Sequence, residues 1–451
     1  MKHKKDLSIY ENMPVGKAVI SNAIPAMLSM IMVLIYNLAD TLFIGMTHND
    51  IMVAAVSLAS PVFMIFMGVA SIFGMGGTSA ISRAFGAGKK ERVKNISSFC
   101  FWSMIVVGIV GAIIFFIFIN PLLTTIGASA NTWEYAKQYL LIVAISIPFT
   151  LIQSAFANLV RAEGQPNLSL IGAIIGNLTN IILDPILILG FNMGIVGAAI
   201  ATVIGDMAGA IYYIVHICGN NSQLSANPKH FKISDGICKD VLSVGIPAAL
   251  GSLFMSIAQI IANKMMTQYG DMAVAGIGVS KKITMIINTF IMALGMGIQP
   301  LFGYSIGKKD YSRYKELMTF SLKFSVILSV TMTVICYLFN KPLVKIFLTA
   351  DKAVEYGLQF NRVSLISFFL LGTFYCFVNG VQAMGNAKAS LIVNVSRQGI
   401  IYIPVIIILH LAIGMNGIIW AQVVSDFAGI ILAYIVWRRN FTILYKMNDG
   451  D

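Results

Sequence analysis

The sequence predicts an all-α polytopic membrane protein, twelve transmembrane helices in two pseudo-symmetric six-helix lobes, on three observations. Composition is the first: 57% of the 451 residues are hydrophobic and only 11% are charged, and the mean hydropathy is +0.82, far outside the soluble range. Run length is the second. Apolar stretches reaching the ~20 residues a bilayer requires recur along the whole chain, without the alternation of a membrane β-barrel. Duplication is the third. Asn158-Leu-Val-Arg-Ala-Glu-Gly164-Gln-Pro-Asn-Leu-Ser169-Leu170 returns as Asn379-Gly-Val-Gln-Ala-Met-Gly385-Asn-Ala-Lys-Ala-Ser390-Leu391. Ile24-Pro25-Ala26 returns as Ile246-Pro247-Ala248, Gly74-Met75-Gly76 as Gly295-Met296-Gly297, and Gly197 through Asp206 is echoed by Gly417 through Asp426. A half-length repeat in so apolar a chain points to a transporter, whose two halves rock around a site at their interface.

The first six spans fall at about 17–46, 51–80, 95–119, 134–160, 167–190 and 194–218, the last six at about 238–267, 272–303, 315–340, 353–383, 388–411 and 415–437. Tilt or kinks are expected near Pro25, Pro148, Pro247 and Pro404, because proline removes a helical hydrogen bond and several spans exceed the bilayer thickness. Residues 219–236, rich in Asn, Ser and Lys, read as a polar cytoplasmic linker between an N-terminal lobe, 1–218, and a C-terminal lobe, 237–451. Basic residues orient the spans. With both termini cytoplasmic, Lys2, Lys4, Lys5, Arg83, Lys89, Lys90, Arg92, Lys94, Lys229, Lys232, Lys308, Lys309, Arg313, Lys315, Arg438 and Arg439 all lie inside. Only the loop around Lys341, Lys345 and Lys352 dissents. The formal charge of +12 is thereby topological and calls for no nucleic acid.

Several chemistries are excluded. No Gly-x4-Gly-Lys-[Ser/Thr] sequence cradles ATP; around Gly86-Ala-Gly88-Lys89-Lys90, Arg83 takes the first glycine position and Lys90 the hydroxyl position. Transport is therefore expected to be secondary, driven by an ion gradient. Cys100, Cys218, Cys238, Cys336 and Cys376 lack disulfide or zinc spacing, as do the five dispersed His. The apolar run after Lys17 is too long for a cleavable signal, so the first span is expected to stay in the membrane. No catalytic constellation is found, so neither an enzyme nor a cofactor is expected.

Intramembrane charges are the sharpest clue, since each costs roughly 2.5 to 3.5 kcal/mol or more near the bilayer centre unless paired or hydrated. Asp40 lies near the outer end of span one and Asp184 near that of span five, while Thr202 enters span six from the same side. At 1.5 Å per residue the three share a depth of ~9 to 12 Å, and Asn180 sits one turn from Asp184 on the same face. Two carboxylates, an amide and a hydroxyl are hard oxygen ligands that suit a small cation or a shared proton. A structural hydrogen-bond cluster closing the bundle is the alternative. Asp206 and Asp426 are repeat equivalents near the midplane, Arg397 matches Asp426 in depth, and Lys281 and Lys282 lie near the middle of span eight. Asp206, Lys282, Arg397 and Asp426 are read as a buried charge network: an internal ion pair is the plain explanation, attraction of anionic substrate groups the other.

Taken in chain order, Ile24-Pro25, Tyr36-Asn-Leu-Ala-Asp40-Thr-Leu-Phe-Ile-Gly45, Arg161-Ala-Glu-Gly164, Asp184-Pro185 and Gln299-Pro300-Leu-Phe-Gly303-Tyr304-Ser-Ile-Gly307 resemble a known family. The chain is similar over essentially its whole length to multidrug and toxic-compound extrusion (MATE) transporters, of the branch with the DinF-like and multi-antimicrobial extrusion proteins. That resemblance implies a V-shaped pair of lobes exporting amphipathic organic cations, drugs or toxic compounds, in exchange for Na⁺ or H⁺ by alternating access. It implies that the family's cation-coupling site falls on Asp40, Asn180, Asp184 and Thr202, with Na⁺ as the only metal. Coupling is expected to rest on the first lobe, because the stretch after Pro247 and the middle of span ten carry none of the acids that some branches place there. A monomer in the cytoplasmic membrane, in contact with lipids and with no nucleic acid, is expected. The runner-up readings are a lipid or oligosaccharide flippase of the same superfamily, for which two further spans are expected, and an exporter of an anionic metabolite.

Overall fold

A bilayer core offers no water to backbone N–H and C=O groups, so a chain this apolar satisfies them inside helices. The computed structural model describes residues 8–219 and 221–449, and among these are twelve helices long and apolar enough to span a membrane. In the first half they are α1 Val15–Gly45, α2 Ile51–Gly86, α3 Lys90–Ile117, α4 Trp133–Ala162, α5 Pro166–Gly190 and α6 Gly194–Cys218. The second half contributes α7 Ile237–Tyr269, α8 Asp271–Gly307, α9 Tyr311–Leu338, α10 Asp351–Met384, α11 Ala387–Ile413 and α12 Met415–Met447. Each span expected from the sequence coincides with one helix. The largest shifts are at the ends of α2 and α12, which run on past the apolar windows, and at the start of α3, which begins before its window. Hydropathy marks where lipid stops, whereas Arg438 and Arg439 are good helix formers and let α12 continue. Lys341 and Lys345, expected in a loop, lie on a short helix, Asn340–Phe347, whose counterpart in the first half is Ile119–Thr125. Lys2, Lys4, Lys5 and Asn220 lie outside the described residues.

Helix ends are punctuated by residues suited to them. Asn49 Oδ1 accepts from the Ile51 and Met52 N–H groups at 3.1 and 3.3 Å, Asp310 Oδ1 from Arg313 N–H at 3.0 Å, and Asn386 Oδ1 from Ala389 N–H at 3.1 Å. These satisfy amides that a helix start leaves without intrahelical partners. Gly164 and Gly385, repeat equivalents after α4 and α10, have φ of +89° and +74°, a region open to glycine at little cost.

The chain forms two compact units. One holds the described residues up to Asn12 and those from Leu28 to Gly245, the other Met13–Met27 and the described residues from Ile246 onward. The division falls inside α1 and α7, and the duplicated glycines explain it. On α2, a Cβ at Gly76 would run into the Val241 carbonyl, and a Cβ at Gly245 into the Ile72 carbonyl, so α7 begins in backbone contact with α2. On α8, a Cβ at Gly297 would lie 2.8 Å from Ala23 Cα and 2.9 Å from the Asn22 carbonyl, so the start of α1 meets α8 in the same way. The linker belongs to the first unit. Ser98 Oγ donates to the Asn227 carbonyl at 2.9 Å, Trp102 Nε1 to the Ala226 carbonyl at 3.0 Å, and Phe231 stacks on Phe99.

Gly297→Ala is expected to cost about 1–3 kcal/mol or more, because backbone on the facing helix cannot yield to an added methyl. Gly278→Ala on the same helix meets nothing within 4 Å and is expected to be neutral or stabilising by up to about 1 kcal/mol. Melting temperatures of the two purified variants check this; equal values would show that the close approach is unimportant.

Candidate functional site

α5 is α-helical only as far as Asp184, and Pro185–Gly190 is a π-helical segment. Pro185 has no N–H and its ring crowds the preceding turn, so the regular ladder stops there. Asp184 is fully buried, as are Asn180 at 2% and Thr202 at 3% exposure, while Asp40 on α1 is 8% exposed. With its amide turned so that each atom faces a suitable partner, Asn180 Nδ2 donates to Asp184 Oδ2 at 3.1 Å and Oδ1 accepts from the Thr202 N–H at 3.1 Å. In the other orientation Nδ2 donates to Thr202 Oγ1 at 3.4 Å. Thr202 Oγ1 in turn donates to the Ala198 carbonyl at 3.0 Å. One oxygen of each carboxylate, Asp40 Oδ1 and Asp184 Oδ1, is buried without a partner. The two acids are close enough to feel each other's charge. Two buried carboxylates in mutual repulsion, each with an idle acceptor, fit a small cation or a shared proton.

Three further side chains belong to this cluster. Half-buried Tyr36 interacts electrostatically with Asp206, Asp40 and Asp184, and buried Tyr139 on α4 lies beside Thr202 and the same carboxylates Asp40 and Asp184. Asp206 accepts from Thr150 Oγ1, which Ser146 Oγ contacts at 3.1 Å. The sequence carried a signal for two of the three: Tyr36 and Asp40, like Thr202 and Asp206, are four residues apart and therefore share a helix face. Tyr139 had none, since only packing brings α4 to α6.

The charge network read from the sequence is divided. Asp206 is in the first unit, whereas Arg397 and Asp426 pair in the second, with Arg397 Nη1 3.0 Å from Asp426 Oδ1 and both side chains buried. Asp426 also accepts from Ser367 Oγ at 2.6 Å and Gln422 Nε2 at 2.7 Å. The Arg397 guanidinium lies 4.9 Å from the Phe374 ring centre. Arg397 sits in a π-helical segment of α11, Ser396–Ile401. Ser146 and Ser367 are repeat equivalents: Ser367 bonds Asp426 directly, and Ser146 reaches Asp206 through Thr150. Lys282 is not part of the network: it is exposed, its Nζ 5.6 Å from the Phe347 ring centre. Its neighbour Lys281 points the other way, because adjacent helical residues are about 100° apart. Among the described residues, no group of three or more His, Cys, Asp or Glu could hold a metal ion.

A family model described as MatE matches residues 25–186 and again 247–408, one copy in each half of the chain. The chain belongs to the MATE family. The first copy takes in Asp40, Asn180 and Asp184, and the second takes in Lys281 and Arg397. Among relatives of known name, the multidrug export protein MepA of Staphylococcus haemolyticus (strain JCSC1435) is 30% identical over 97% of both chains. MepA of Staphylococcus aureus (strain MRSA252) is 29% identical over 96% of this chain and 97% of its own. Crystal structures of a MATE protein in a straight and in a bent conformation superpose with TM-scores of 0.92, at 24% and 23% identity, over 98% of this chain and 99% of theirs. At that identity they share its fold.

Proposed function

We propose that this MATE-family protein is a secondary active antiporter of the cytoplasmic membrane, exporting amphipathic organic compounds, chiefly cations, in exchange for Na⁺ or H⁺ by alternating access. The observation that carries the reading is the pair of buried carboxylates, Asp40 and Asp184, each with an unpartnered oxygen. The names of the MepA relatives support multidrug export as the task. Asp40, Asn180, Asp184 and Thr202 hold the coupling ion. Entry of a cation or proton from outside cancels the repulsion between the two acids and draws α1 toward α5. Because α1 is divided between the two units at Met27, a shift at Asp40 biases which side of the membrane the drug cavity faces and lowers its affinity for drug. Release of the ion inside resets the cycle.

The experiment is efflux of a fluorescent organic cation from proteoliposomes under an imposed Na⁺ gradient, an imposed H⁺ gradient, or neither. One gradient is expected to drive accumulation against a concentration difference and the other not. Equal efflux under all three conditions would overturn the antiporter.

A further inference from the structure

The second unit contains its own cavity, about 140 Å³, among α7, α8, α10, α11 and α12. Apolar and aromatic side chains such as Ile277, Phe368 and Tyr402 share its wall with neutral polar ones such as Thr284 and Ser364, and Lys281 and Arg397 enter it from α8 and α11. No carboxylate lines it among the described residues. Arg397 is neutralised by Asp426. Lys281 is not: its ammonium donates to the neutral Asn263 Oδ1 at 2.8 Å and forms no ion pair among the described residues. An uncompensated ammonium at membrane depth is costly and is recovered by an anion, which the same field would deny to a cation.

We infer that this cavity binds a small organic anion, a carboxylate on a flat apolar body, with Lys281 as the charged contact and the aromatic wall holding the body. The inference uses none of the residues assigned to ion coupling. An anionic lipid headgroup offers the same charge, so the two sources are separated in the test.

Three probes with one ring system and different charge, 2-naphthoate, 2-naphthamide and 2-naphthylmethylammonium, are dialysed to equilibrium against the full chain in nanodiscs of zwitterionic lipid, with empty nanodiscs as reference. Naphthoate is expected to bind roughly tenfold more tightly than the amide, as a charge-assisted hydrogen bond implies. That preference should vanish in Lys281→Gln and persist in Lys281→Arg. No preference for naphthoate in the wild type, or an undiminished preference in a folded Lys281→Gln, would overturn the inference, and the wild-type comparison decides alone if that variant does not fold. Adding phosphatidylglycerol to the nanodiscs names the source: lost naphthoate binding assigns the cavity to lipid phosphate, retained binding to a free carboxylate. Asp184→Asn should leave the naphthoate preference intact, so failure of ion coupling and failure of this site are read separately.

Discussion

Asp184→Asn is expected to abolish gradient-driven accumulation without lowering the stability of the protein. The substitution conserves shape and leaves Asn180 an oxygen to bond, while removing a buried charge that has one idle acceptor. A neutral amide costs less to bury than a carboxylate, so the melting temperature should be equal or higher. Coupling has no such substitute, since an amide neither takes up a proton near neutral pH nor neutralises a cation. An ion concentration gradient equivalent to ~150 mV is worth roughly 3.4 kcal/mol per ion, which supports a few hundredfold accumulation in one-for-one, electroneutral exchange with a monovalent cation. The variant should fall to a ratio near one while still allowing substrate to equilibrate. Asp40→Asn is expected to behave in the same way, because removing either charge removes the repulsion that the ion relieves. Wild-type accumulation by a folded Asp184→Asn protein would remove the first-unit site from consideration.

The helices of this protein are legible in its sequence because lipid imposes one solution on the backbone. Even the amphipathic helix Asn340–Phe347 was hidden only by its lysines, which read as a loop. The four oxygen-bearing side chains of the first-unit cluster are legible too, because depth along a helix converts directly into height in the membrane. Lateral position is another matter. Asp206, Arg397 and Asp426 share a depth, yet depth does not say which neighbours a helix packs against, so one acid was grouped with charges of the other unit. The Lys281 and Lys282 pair illustrates a second limit. Composition treats them alike, and only the phase of α8 decides that one enters a cavity and the other lies over Phe347.

Duplication itself explains why the two units differ in chemistry. Gly176 and Arg397 are repeat equivalents, as are Thr202 and Gln422. The same fold thus places Gly176 beside the Gln153 side chain and, in the other half, a guanidinium that must be neutralised. Each half links a serine to its aspartate, through Thr150 in the first half and directly in the second, and the residues around it have diverged into an acidic cluster on one side and a basic cavity on the other.

Arg397→Met is expected to be the most destabilising single change in the second unit. It leaves Asp426, fully buried, with only the neutral Ser367 and Gln422 as partners, and uncompensated buried charges of this kind cost about 3–5 kcal/mol. For a unit of this size that corresponds to a fall in melting temperature on the order of 10 °C. Asp426→Asn alone leaves the guanidinium unpaired and should also be destabilising, though less so, because stacking on Phe374 still shields it. The double variant, Arg397→Met with Asp426→Asn, should recover most of the loss: no charge remains to be solvated, the Asn oxygen can accept from Gln422 in place of Oδ1, and the Asn amide can donate to the Ser367 hydroxyl in place of Oδ2. This pattern, two harmful singles and a mild double, is the signature of a pair retained for neutrality. If instead Arg397→Met melts like the wild type, Asp426 must find another cation. Lys281, across the same cavity wall, is the one in place, and naphthoate binding in that variant would then disappear.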